Sequence, residues 1–246
     1  MDALVAENLV KAFGRGGKRK VAVDGVSFAV HDGEVFGLLG MNGAGKSTTI
    51  KMCTGLLAPD GGNVSVFGHD TVNDRAAAKS LLNVSPQETA VAGALTVREN
   101  LELIAEVYGA GRSEAREKAS AMMNRLKLED RANDGAKKLS GGLMRRLSIG
   151  MALITSPRLV FLDEPTLGLD VVARRELWRY IRETSEHSAV VLTTHYLEEA
   201  EALCGRIAIM AHGKIVAVGS ADELKARAGT DSFEDAFLKL SGEETA

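Results

Sequence analysis

Gly40-Met41-Asn42-Gly43-Ala44-Gly45-Lys46-Ser47-Thr48 follows the apolar run Val35-Phe36-Gly37-Leu38-Leu39 and leads into Thr49-Ile50-Lys51-Met52-Cys53. A buried strand, a glycine-rich turn and the first turns of a helix, in that order, make a phosphate loop. Glycines 40, 43 and 45 allow tight dihedrals and bring backbone N–H groups close to phosphate oxygens, while the helix N-terminus adds the positive end of its dipole. In such a loop Lys46 reaches the β and γ phosphates, and the Ser47 hydroxyl ligates magnesium. Nucleotide binding is therefore the first expectation.

Far downstream, Leu159-Val160-Phe161-Leu162 runs into Asp163-Glu164-Pro165. Four apolar residues suit a central parallel strand, with two carboxylates at its carboxyl end. Coupled to Lys46 and Ser47, this is the arrangement in which a carboxylate holds magnesium beside a γ phosphate. Asp163 is expected to bind the ion directly or through water, and Glu164 to face the attacking water as general base or positioner. His195 ends another predicted strand, where it can donate to the γ phosphate and help fix Glu164; the plainer alternative is a surface histidine at a helix start. Leu139-Ser140-Gly141-Gly142-Leu143 opens a helix and makes a second anion-binding N-terminus. Within one subunit that site is redundant unless it serves a second molecule's nucleotide, the alternative being a simple helix cap at Ser140.

Around these stretches, runs at 4–10, 26–30 and 35–38 read as strands. The first two alternate and belong to a small antiparallel sheet beside the nucleotide core, and the third is buried on both faces. The basic turn 14–20 reads as an exposed hairpin loop rather than a specific anion site. The helix begun at Ser47 is expected to end near Leu57, before Pro59-Asp60-Gly61-Gly62. Strands follow at 64–67 and 81–84. From 97 to 154 the period becomes helical, with Leu101, Ile104, Ala105 and Tyr108, then Ala115, Ala119, Met122, Met123 and Leu126, and finally Leu143, Leu147 and Met151 sharing one face; 130–137 reads as loop. This middle third, bounded at 88–156, reads as an inserted helical subdomain within one domain spanning 1–246. A helix at 171–184, a strand at 189–193, a short helix at 197–203 and a hairpin of 206–210 with 214–218 follow. Phe233, Phe237 and Leu240 then mark an amphipathic tail that packs on the body of the chain.

With 246 residues, 45% hydrophobic and 26% charged, and a net charge of −3, the chain reads as a folded soluble α/β protein without the basic footprint of a nucleic-acid binder. Cys53 and Cys204 lack nearby ligand partners and read as buried reduced thiols. No apolar run approaches the roughly 18 residues that span a bilayer, and the N-terminus lacks signal-peptide character, which points to a reducing cytoplasm.

In motif type, order and spacing the sequence resembles the nucleotide-binding subunits of ATP-binding cassette (ABC) transporters over nearly its whole length. Gly40 to Thr48 looks like the family's Walker A loop, so that Asn42, Gly43, Ala44, Gly45, Lys46, Ser47 and Thr48 contact nucleotide. Leu159 to Glu164 looks like Walker B with the catalytic glutamate. Gln87 matches the Q-loop glutamine, a contact of magnesium and water that couples the site to the membrane domains. Ser140, Gly141 and Gly142 lie in the signature loop, Pro165 to Asp170 in the D-loop, His195 matches the switch histidine, and Phe13 stands where an aromatic stacks on adenine. The resemblance implies a P-loop NTPase (RecA-like) core with a small antiparallel β subdomain and an inserted α-helical subdomain. It further implies ATP and Mg2+, and a head-to-tail dimer, expected as a homodimer, sandwiching two ATPs between Lys46 of one subunit and Ser140 and Gly142 of the other. A separate transmembrane permease chain would hold the subunit at the cytoplasmic side of the membrane. The Leu139 to Leu147 stretch with Arg145-Arg146 looks like bacterial export systems for drugs, antibiotics, lipids or polysaccharides; the alternative is a soluble ATP-gated regulatory or assembly ATPase. Leu143 and Leu167 depart from the commoner glutamine and serine, and Phe13 from tyrosine; none of the three removes a phosphate or magnesium ligand, so active hydrolysis is expected.

Overall fold

The computed structural model describes residues 1–14, 19–88 and 90–242. Its strands in chain order are β1 (Asp2–Phe13), β2 (Lys20–His31), β3 (Val35–Leu39), β4 (Gly61–Val66), β5 (His69–Asp70), β6 (Leu82–Ser85), β7 (Leu159–Asp163), β8 (Ala189–Thr194), β9 (Arg206–Ala211) and β10 (Lys214–Gly219). The helices are α1 (Lys46–Cys53), α2 (Arg75–Leu81), α3 (Val97–Val107), α4 (Arg112–Leu126), α5 (Gly141–Leu153), α6 (Val171–Ser185), α7 (Leu197–Leu203), α8 (Ala221–Ala228) and α9 (Phe233–Ser241).

One sheet runs β10-β9-β3-β8-β7-β6, with β9, β3, β8, β7 and β6 parallel and β10 antiparallel at the edge. Its inner strands β3, β7 and β8 are buried along their whole length because both faces are covered, and the period of two divides the apolar residues between two cores. Val160, Leu162, Val190, Leu192, Ile207 and Ile209 face the core shared with α3–α9. Leu159, Phe161, Ala189, Val191, Ala208 and Met210 face the second core, with α1 and the other sheet. That other sheet is antiparallel, in the order β2-β1-β4-β5. At Gly37, in the middle of β3, a Cβ would lie 2.7 Å from Cys204 Sγ, so glycine lets the end of α7 approach the sheet. The structure thus has a RecA-like phosphate-loop core, an antiparallel sheet on one side and a helical subdomain built from α3, α4 and α5.

Several elements differ from the sequence reading. α1 stops at Cys53 rather than near Leu57, because the Thr54 hydroxyl donates back to Ile50 O at 2.9 Å and Gly55 turns left-handed at φ 65°. β1 and β2 are longer than the alternating cores that marked them, since pairing carries both strands out to Phe13↔Lys20. α2 and α8 were not expected. Leu147 is fully buried on α5, but Leu143 and Met151 are only half-buried, while Ser148, Ile149, Gly150, Ala152 and Leu153 are buried. The helix is therefore covered on more than one face, and Gly150 admits α4 so closely that a Cβ there would lie 2.5 Å from Leu126 Cδ1. The expected loop 130–137 carries short 3-10 turns at Glu129–Arg131 and Ala136–Lys138. Phe233 and Phe237 are buried in the main core, which fixes α9 on the body. Of the basic turn 14–20, residues 15–18 lie outside the described residues. Among the described residues no helix is long and apolar enough to cross a membrane.

Candidate active site

The carboxyl ends of β3, β7 and β8 meet at one cleft of about 760 Å³, lined by Phe13, Asn42, Gly43, Ala44, Gly45, Lys46, Ser47, Thr48, Gln87, Glu164, Leu167 and His195 among others. Parallel strands adjacent in register bring this about: Leu39 pairs with Thr194, and Asp163 with Thr193. The loop after β3 can close over α1 only with glycine at position 45. Its φ is 108°, and a Cβ would sit 2.6 Å from Ala22 O. Gly40 is different from the sequence reading: its φ is not positive, and it is small because Met210 O occupies the space a Cβ would need.

The charged groups converge. Lys46, 6% exposed, donates to Gly40 O at 2.7 Å and lies 3.4 Å from Glu164 Oε1. The other carboxylate oxygen of Glu164 is 2.8 Å from His195 Nδ1. Ser47 Oγ donates to Asp163 Oδ1 at 3.2 Å, joining the two residues expected to share magnesium. Glu164 holds a left-handed φ of 51°, which costs about 1–3 kcal/mol for a side chain of this kind and persists only where neighbours enforce it. Here its N–H donates to Thr193 Oγ1 at 2.9 Å and to Thr193 O at 3.2 Å. The Thr193 hydroxyl in turn donates to Asp163 Oδ1 at 2.5 Å, so one buried threonine positions both acids.

The other sequence candidates fall elsewhere. Ser140 caps α5, accepting from Leu143 N at 3.4 Å; it and Gly142 do not line the cleft around Lys46, and both Ser140 and Gly141 are exposed. Gly141 instead borders an adjoining cavity of about 450 Å³ with Gln87, Arg145, Glu164, Leu167 and Gly168. Asp170 caps α6, accepting from Ala173 N at 2.9 Å, and is likewise outside the cleft.

Besides Thr193, the sequence reading gave no place at the site to two buried charged residues. Arg145 is 4% exposed and donates to Pro86 O at 2.5 Å, Pro165 O at 3.0 Å and also Asp163 O. Burial holds its guanidinium below the usual arginine range, while Asp163, Glu199 and Glu164 oppose that effect. Glu199 on α7 is fully buried, accepts from Trp178 Nε1 at 3.1 Å, and is pushed up, first by burial and last by the charge of Glu164. Neither had a local signal: Glu199 is one of three glutamates in α7, and Arg145 one of two adjacent arginines in α5.

A magnesium ion fits this donor set. Among the described residues no group of three or more acidic, histidine or cysteine side chains is arranged to hold a metal ion by itself, but Ser47 and Asp163 present converging oxygens beside the phosphate loop. That suits an ion which keeps its waters and takes its remaining ligands from substrate phosphates.

The family model described as ABC transporter matches residues 23–167. The chain is 41% identical over 231 residues to the linearmycin resistance ATP-binding protein LnrL of Bacillus subtilis, covering 94% of this chain and 73% of that protein. Among solved structures, an ATP-binding subunit of an ABC transporter superposes with a TM-score of 0.86 at 29% identity, covering 97% of this chain and 99% of the other. The dimeric structure of the bacterial ABC transporter cassette MJ0796 matches with a TM-score of 0.82 at 25% identity, over 88% of this chain and 98% of that one.

Proposed function

The chain belongs to the ABC transporter family as an ATP-binding and ATP-hydrolysing subunit, and on that premise we propose that it energises the export of drugs, antibiotics, lipids or polysaccharides. The observation that carries the catalytic part is Glu164, held between Lys46 and His195 in the cleft of the phosphate loop. The antibiotic-resistance role in the name of LnrL supports export.

In this mechanism the backbone N–H groups of residues 43–47 and the Lys46 ammonium bind the β and γ phosphates, Lys46 exchanging Glu164 for phosphate oxygens. Ser47 and Asp163, with Gln87, would hold Mg2+, which would supply neutralisation of charge on the phosphate oxygens. Glu164, freed of Lys46, takes a proton from water. The water oxygen attacks the γ phosphorus, and the bond to the β–γ bridging oxygen breaks to leave ADP and phosphate. His195 keeps Glu164 oriented and donates to the γ phosphate. Phe13 stacks on the adenine. The exposure of Ser140 and Gly141, away from the cleft of their own chain, supports a head-to-tail dimer in which they meet the other subunit's nucleotide, and the dimeric cassette among the structural relatives supports dimerisation itself. The helical unit, bounded near residues 88–156, carries that loop, and a separate permease chain holds the subunit at the cytoplasmic side of the membrane.

The test is a tagged pull-down from solubilised native membranes, with ATPase activity compared before and after. A polytopic membrane protein recovered with raised activity is the expected result. Soluble partners alone, with no membrane association, would overturn the transport reading in favour of a soluble regulatory ATPase.

A further inference from the structure

Arg145 lies on the first turns of α5, the helix whose N-terminus bears Ser140, Gly141 and Gly142. Its donors all go to backbone carbonyls, in two separate segments, 86–87 and 163–165. Nη1 reaches Pro86 O at 2.5 Å and Gln87 O at 3.4 Å, Nη2 reaches Asp163 O, and Nε reaches Pro165 O at 3.0 Å. Among the described residues no carboxylate pairs with it within ion-pair distance. A buried cation satisfied by peptide oxygens alone is an expensive way to fill space, and an apolar side chain would fill it at lower cost. What the planar fork of five N–H groups adds is geometry: it fixes two loops relative to one helix, which the point-like ammonium of lysine cannot do.

Those loops carry the glutamine, the two acids and the start of the segment 165–170, which all serve the subunit's own nucleotide. The helix end serves the partner's. We propose that Arg145 is a positioning residue that couples the two nucleotide sites of the dimer, by transmitting contact at Ser140–Gly142 with one ATP to the placement of Gln87 and Glu164 at the other. This inference rests on the dimeric reading above. A second link between α5 and β6, Ser148 Oγ to Ser85 Oγ at 3.0 Å, ties the same helix to the core without touching those loops. It serves as the control.

The experiment measures steady-state ATPase of the full chain against MgATP concentration for the parent, Arg145→Lys, Arg145→Gln and Ser148→Ala, with melting temperature and single-subunit ATP affinity measured alongside. For the parent, a Hill coefficient well above 1 and bounded by the two sites is expected. Both Arg145 variants are expected to lose turnover by about tenfold or more and to bring the Hill coefficient to about 1, with single-subunit affinity within about twofold of the parent. Ser148→Ala is expected to keep the parent's cooperativity. Parental cooperativity in Arg145→Lys, an equal loss in Ser148→Ala, or unfolding of both Arg145 variants overturns the proposal, the last by assigning the residue to stability alone. The dimeric reading fails separately: a parent without cooperativity, whose Glu164→Gln variant forms no ATP-dependent dimer, overturns that reading and the inference with it.

Discussion

Replacing Thr193 by valine keeps the shape and β-branching of a fully buried residue and removes one hydroxyl. That hydroxyl donates to Asp163 Oδ1 at 2.5 Å and accepts from Glu164 N at 2.9 Å. A buried hydrogen bond to a charged group contributes about 1.5–3 kcal/mol and one between neutral groups about 0.5–1.5, so the loss is about 2–4.5 kcal/mol. For a chain of this size that lowers the melting temperature by about 5–15 °C. The effect on catalysis is separate, because Glu164 sits at φ 51° and keeps only the 3.2 Å bond to Thr193 O to enforce it. Relaxation of that strain moves the carboxylate, and a displacement near 1 Å lowers turnover on the order of 10- to 100-fold. ATP affinity is expected to stay within about twofold, since the contacts of Lys46 and the loop are untouched. Thermal melts, calorimetric ATP titration and steady-state ATPase measure the three quantities. A Thr193→Val protein with parental melting temperature and turnover would refute the claim that Thr193 enforces the geometry of both acids.

The remaining outcomes follow from the same site and core. Gly45→Ala is expected to abolish measurable ATP binding and to destabilise the fold, because a Cβ at φ 108° would press on Ala22 O; parental affinity by calorimetry would contradict this. Lys46→Ala is expected to weaken ATP binding by about tenfold or more through lost charge-assisted contacts, and an unchanged Kd would remove Lys46 from the binding set. Burial pushes the Cys53 thiol from its ordinary 9.0 up to about 12, the Tyr180 hydroxyl from 10.0 to about 12, and the Cys204 thiol upward as well. Each folds in its protonated form, so the stability these groups confer is complete below about pH 9 and is lost as pH rises towards 12. A denaturation midpoint that stays constant from about pH 9 to about 11 would contradict that.

What could be read from the sequence was what is encoded locally. The phosphate loop, the apolar strand before Asp163 and the helical spacing of Ala115, Ala119, Met122, Met123 and Leu126 are each contiguous, and the structure buries all five of those helical residues. α2 went unread because Arg75-Ala76-Ala77-Ala78-Lys79-Ser80-Leu81 buries only Ala78, leaving no apolar stripe to detect. The end of α1 depended on a side chain bonding back to the backbone, which spacing does not reveal. Arg145 and Thr193 act through partners at sequence distances of 18 to 59 and of 29 to 30, so neither has a local signature. Tyr108 illustrates the reverse: its helical spacing suggested core, yet it is 51% exposed and uses its hydroxyl to reach Asn83 Oδ1 at 2.6 Å.

The central claim is that two copies of this chain enclose ATP between Lys46 of one and Ser140 of the other, and that Glu164 then drives hydrolysis. Light scattering of Glu164→Gln with MgATP, alone and combined with Ser140→Ala, tests it most directly. The account predicts a stable dimer with two trapped nucleotides and no turnover for the single variant, and loss of that dimer, with single-subunit ATP binding retained, for the double. A Glu164→Gln protein that stays monomeric at saturating ATP, or hydrolyses it at the parental rate, would contradict the account.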